Sequence, residues 1–161
     1  MDEAPDTAEE WELLRANLAQ CLSALEEDEF LVLDFKRAVY YVQFAAQGRF
    51  GMRAEAACNT YIDPPEARLS ADDYRLMEQL GWHRATTLPP EAGGDRSPDD
   101  SPNFHVDPAS PIDYLALATL AVETFRLVYR VKHPGRLKYK AFASNGTQIR
   151  FPTLRIMRSR D

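Results

Sequence analysis

Residues 40–62 read YYVQFAAQGRFGMRAEAACNTYI. Apolar side chains alternate on both sides of the GRFG turn, the period-two pattern of a hairpin with one buried face. Such a hairpin is highly constrained, because a one-residue slip moves every side chain to the other face. An odd number of residues in the loop around Gly48 puts Val42 and Phe44 on one face with Met52, Ala54, Ala56 and Cys58. Tyr41, Gln43 and Ala45 then share the opposite face with Arg53, Glu55, Ala57 and Asn59. An even loop would mix apolar and polar residues on both faces, so the odd loop is expected. The small Ala54, Ala56 and Cys58 would let an amphipathic helix approach the sheet closely.

The rest of the chain supplies such helices. Thr7 and Glu10 stand at capping-box spacing. Trp11, Leu14, Leu18, Leu22 and Leu25 follow at steps of three and four, which predicts a first helix over 7–26. FLVLDF (30–35) is apolar on both faces and reads as an interior strand, giving a three-stranded meander that Asp63-Pro64-Pro65 stops. Ser70 and Asp73 cap a short helix to about Leu80, closed by Gly81. GWHRATT (81–87) is a candidate fourth strand. Residues 88–110 form a long loop with five prolines and four aspartates.

A third helix is expected over 111–131, with Ser110 as N-cap and Pro111 in its first turn. Its apolar face, from Leu115 to Tyr129, is broad enough to suggest burial on two sides and a homodimer. LKYKAFA (137–143) predicts another strand, and IRFPTLRIM (149–157) a Pro-interrupted edge. The fold class is therefore α+β: an antiparallel sheet in the order α-β-β-β-α-β-α-β, with the first and third helices packed on one face. Residues 1–143 make one domain with a flexible tail at 1–6, and 144–161 a basic extension.

Composition excludes several functions. No apolar run approaches the ~20 residues needed to span a bilayer. The start, MDEAPDTAEE, is acidic where a signal peptide is basic, which points to the cytoplasm. Cys21 and Cys58 read as two buried thiols, and no histidine has a Cys or His neighbour at metal-ligand spacing. Neither a nucleophile elbow nor a phosphate- or dinucleotide-binding loop is present, so no cofactor and no enzyme chemistry are expected. Net charge is −6, yet residues 126–161 hold ten Lys and Arg against one acid, Asp161. That segment could bind nucleic acid or an acidic partner, or fold back on the acidic remainder. No aromatic-plus-basic nucleic-acid motif accompanies it, so nucleic acid is the weaker alternative.

The polar hairpin face allows two readings. It is either the solvated side of an antiparallel sheet, or a shallow surface holding an extended peptide, walled by the long loop and Trp82. Glu55 is the least expected residue, since glutamate is depleted in strands. It either pairs with Arg53 or Gln43, or meets a ligand. Trp82 is a core anchor or a contact residue; Asn103-Phe104-His105 is a loop tie-down or a clamp.

The phrases FLVLDF, YYVQFA, MRAEAACNTYI, LSADDYRLMEQLGW, PNFHVD and VYRVKHPGRLKY, taken in that order over roughly 11–139, resemble one family. It is the actinobacterial peptide-binding, chaperone-like TY-Chap domains of the type III secretion chaperone and YbjN superfamily. The resemblance implies a non-catalytic polypeptide binder, and Gln43, Glu55, Asn59, Gly81, Trp82 and Asn103 coincide with recurring positions of that family. The candidate peptide-binding set is thus Tyr41, Gln43, Arg53, Glu55, Asn59, Trp82 and Asn103, with an unidentified client polypeptide as partner.

Overall fold

The computed structural model of the chain describes residues 5–86 and 101–159. Of the expected tail, 1–4 lie outside the described residues, as do Thr87 of the expected fourth strand and 88–100 of the long loop. Helix α1 runs Pro5–Ala24 and is followed by three strands, β1 Glu29–Phe35, β2 Tyr40–Ala46 and β3 Met52–Ala56. Then come α2 Ala71–Leu80, β4 Phe104–Val106, α3 Tyr114–Glu123 and β5 Lys138–Ala143, with two short strands, β6 Gln148–Ile149 and β7 Met157–Arg158, at the end. No helix among the described residues is long and apolar enough to cross a membrane.

The strands form one sheet in the order β4-β3-β2-β1-β5-β6, and β7 also pairs with β5. All pairings are antiparallel except β5 with β7. The meander has the expected register: Val42 faces Ala56, Phe44 faces Ala54 and Ala46 faces Met52, across a five-residue loop at 47–51. Gly51 closes that loop at φ 105°, and its backbone packs so tightly on Pro108 that a Cβ would lie 2.2 Å from the Pro108 carbonyl oxygen.

One sheet face is apolar and lies under the helices. Leu31, Leu33, Val42, Phe44, Met52, Ala54, Ala56, Phe104, Tyr139 and Ala141 are buried there with Trp11, Leu14, Leu18 and Leu22 of α1 and Leu117, Ala118, Ala121 and Val122 of α3. The alanines let the helices sit close, and α1 and α3 pack against each other. The fold is α+β with the first and third helices on one face.

Several boundaries differ from expectation for identifiable reasons. Helix α1 starts at Pro5, where a missing N–H costs nothing, so Thr7 lies within its first turn rather than at a cap. Ser70 and Asp73 do form the expected capping box. For α3 the cap is Asp113, whose carboxylate accepts from Ala116 N at 2.9 Å, in place of Ser110. After Glu123 the helix widens into a π turn, Thr124–Val128. Among the described residues of GWHRATT, 81–86, no strand forms: His83 bridges to His105, and the fourth strand is Phe104–Val106 inside the expected loop.

The residues after Ala143 continue the same fold. They turn back through β6, bury Leu154 under α1 and return alongside β5 as β7. Cys21 and Cys58 are buried free thiols. Burial pushes the Cys21 thiol pKa up, against the opposing hydrogen bond from Thr153.

Candidate functional site on the open sheet face

The strand register lays out the face opposite the helices in three rows. The central row is Lys140, Val32, Gln43, Glu55 and His105, one residue from each of five strands. On one side lie Phe142, Phe30, Ala45 and Arg53; on the other, Lys138, Asp34 and Tyr41. The Phe30 and Phe142 rings stack with centroids 5.3 Å apart. Tyr41, Gln43, Ala45, Arg53 and Glu55 are all half-buried, so this is a shallow bed rather than a fully solvated surface.

Side-chain bonding explains how a glutamate persists in mid-strand. Gln43 Nε2 donates to Glu55 Oε2 at 2.9 Å, and Ser101 Oγ donates to Glu55 Oε1 at 2.7 Å. Both carboxylate oxygens therefore have a donor, and bonds to an ionised acceptor are the stronger kind. Ser101 is fully buried and tied again at its backbone, where it exchanges hydrogen bonds with Thr86. Tyr41 donates its hydroxyl to Asn103 Oδ1 at 3.0 Å. Burial pushes the Tyr41 pKa up to about 12, more than the hydrogen bond to Asn103 pulls it down. Arg53 pairs with Asp107 at 2.9 Å rather than with Glu55.

Five of the seven candidate residues thus share this face and its edge: Tyr41, Gln43, Arg53, Glu55 and Asn103. Asn59 and Trp82 do not. Strand β3 ends at Ala56, and the alternation with it: Ala57 and Cys58 are both buried, and the Ala57 carbonyl accepts from the buried Tyr129 hydroxyl at 2.9 Å. Asn59, carried past the sheet, instead clips the loop before α2, donating to Leu69 O at 2.9 Å and accepting from Leu69 N at 2.7 Å. Trp82 is a core anchor, 2% exposed, with its indole N–H on Thr124 Oγ1 at 2.8 Å. That threonine also bonds Leu120 O, just where the π turn begins.

Sequence reasoning missed Ser101 and placed His105 only in a segment read as a loop tie-down or a clamp. A lone serine in a loop has no periodicity to mark it. His105 became legible only once Phe104–Val106 was seen to pair with β3. Its Nδ1 lies 3.3 Å from Asn103 O, and its ring sits 5.6 Å from that of His83. Among the described residues no group of three His, Cys, Asp or Glu is placed to hold a metal ion.

Beside the Lys140 end of the central row, β6 and β7 pair with opposite ends of β5 and leave a gap between them. A pocket of about 500 Å³ opens in that gap, with Lys140, Phe142, Gln148, Arg158 and Ser159 in its walls.

Comparison with protein families gives one match. The model of the TY-Chap3 family, described as T3SS (YopN, CesT) and YbjN peptide-binding chaperone 3, matches residues 4–143. No curated protein and no solved structure gives a match. The match covers most of the chain, and the chain belongs to that family.

Proposed function

We propose that this TY-Chap3 protein is a non-catalytic chaperone or adaptor that lays an extended client polypeptide across the open sheet face. The observation that carries this reading is the bed itself. It is half-buried at Tyr41, Gln43, Ala45, Arg53 and Glu55, lies opposite the helices, and mixes amide, hydroxyl and carboxylate groups with the small Ala45 and the apolar Phe30. Polar groups suit a client backbone, and the space over Ala45 suits its side chains. Tyr41, Gln43, Arg53, Glu55 and Asn103 form the polar part of the surface. Asn59 and Trp82 act behind it, one holding the loop before α2 and the other the core.

The polar groups bond to one another in a way that fixes the shape of the bed rather than arming a nucleophile. Glu55 is held by Gln43 and Ser101, and the Ser101 hydroxyl points its proton at that carboxylate rather than at a histidine. No nucleophile is left beside a free base in this arrangement. We read the protein as acting in the cytoplasm. We also read it as a homodimer, since Leu115 on α3 and Leu127 beyond it are about half exposed, with Leu13 of α1 similarly exposed.

An array of immobilised 15-residue peptides, probed with the full chain and with Ala45→Arg, tests the sheet-face reading. The arginine would fill the bed without touching the core. The wild-type chain is expected to bind a subset of peptides and Ala45→Arg to lose them at unchanged melting temperature. Equal binding by the variant would place the peptide elsewhere.

A further inference from the structure

The basic end of the chain has a use within the sheet-face reading. We propose that the pocket between β6 and β7 is a subsite for a carboxylate of the client peptide, held by Lys140 and Arg158, with the neighbouring client side chain on the Phe30–Phe142 stack. The proposal rests on the sheet face being a peptide platform and extends it to the composition of the client.

Three observations carry it. First, the pocket continues the bed: Lys140 is the end of the Val32–Gln43–Glu55 row, and Phe142 is the end of the Phe30–Ala45 row. A peptide lying across the strands reaches the pocket without leaving the surface.

Second, charge is one-sided. Residues 124–160 contain no acid, and Lys140 has no ion-pair partner among the described residues. The carboxylate of Asp34, beside Lys138, is 6% exposed and already accepts from Ser159 Oγ at 2.5 Å.

Third, Arg158 holds a weak surrogate. Its Nη1 reaches the neutral Gln148 Oε1 across the pocket at 3.4 Å. A carboxylate oxygen would be the stronger acceptor for the same guanidinium, and it can accept two N–H groups at once.

A peptide fits better than a nucleic acid. The pocket offers two cations beside Phe142, which stacks on Phe30, rather than a basic track, and the chain as a whole carries −6.

The same peptide array supplies the test. Peptides with Asp or Glu next to an aromatic or large aliphatic residue, or with a free C-terminal carboxylate there, are expected to dominate the bound set. For the best of them in solution, changing the acid to its amide should weaken binding about tenfold, the effect of one charge-assisted hydrogen bond. In Lys140→Gln/Arg158→Gln that difference should shrink to about twofold or less, with binding of neutral peptides retained. Both residues are exposed, and equal melting temperatures verify the fold. Raising NaCl from 50 to 500 mM on the wild-type chain gives an independent measure, and only the acidic peptides should weaken. Comparing C-terminal acid with C-terminal amide tells a terminal carboxylate from a side-chain one.

Binding with no acidic preference, or a preference that survives the double substitution, overturns the subsite and leaves the platform standing. No binding of any peptide overturns the platform itself. Displacement of the acidic peptide by a short single-stranded oligonucleotide at comparable concentration overturns the choice of a peptide.

Discussion

Replacing Glu55 with alanine separates a carboxylate kept for structure from one kept only for ligand. The substitution removes two acceptors at once, the partner of Gln43 Nε2 and the partner of Ser101 Oγ. Gln43 is half-buried and can turn its amide to water. Ser101 is fully buried, so its hydroxyl can only turn to the Asn103 carbonyl, 3.1 Å away. The loss is therefore about one charge-assisted hydrogen bond, on the order of 1.5–3 kcal/mol, rather than two. For a domain of this size that lowers the melting temperature by about 3–12 °C.

Glu55→Gln should lose less than half as much, since one side-chain oxygen remains to accept from Ser101. Urea denaturation of the three proteins gives the free energies. Amide hydrogen exchange at Asn103, whose N–H donates to Ser101 Oγ, reports whether the loop at 101–103 loosens. An alanine variant within about 0.5 kcal/mol of wild type, with unchanged exchange at Asn103, would mean the carboxylate holds nothing in place.

Trp82→Phe should cost about 1–3 kcal/mol by urea denaturation, because the Thr124 hydroxyl loses its indole donor inside the core. Tyr41 has its pKa raised to about 12 by burial, so its neutral form is favoured in the folded chain. Its contribution to stability is complete below pH ~10, the unfolded value, and is lost as pH climbs through the folded value; Tyr41→Phe should flatten that alkaline slope in thermal melts. Cys21 and Cys58 are 3% and 2% exposed, so Ellman's reagent should react with neither thiol natively and with both in denaturant. Light scattering at tens of micromolar should give a dimer, and Leu115→Glu with Leu127→Glu should give a folded monomer.

The hairpin register was legible because two physical patterns agreed, alternation of apolar residues and an odd loop, and only one pairing satisfies both. The reading failed one residue beyond the last ladder pair. Past Ala56 the backbone follows a tertiary bond, Tyr129 hydroxyl to Ala57 carbonyl, which no local pattern announces. Extending the alternation to Asn59 carried it onto the wrong surface. Strand β4 stayed hidden because three residues between Pro102 and Pro108 are too few to show a period. GWHRATT looked like a strand because tryptophan and threonine favour extended structure. There the tryptophan is spent on the core, and His83 makes a single bridge to His105.

The bonds made by Gln43 and Glu55 move the centre of the proposed site. Gln43 and Glu55 drew notice as polar groups where a sheet is usually apolar, and their bonds explain them: they fasten the segment at 101–103 onto the meander. A group already saturated by its own chain has less to give a ligand, since each new bond must displace an old one. Recognition then falls to the neighbours whose capacity is unspent. Ala45 and Phe30 offer contact area, and Lys140 and Arg158 offer charge. Those residues lie toward β1 and β5, away from β4. A client lying on this face should consequently draw its specificity from the β5 side, where the chain's basic residues gather, while the β4 side fixes the shape of the bed beneath it.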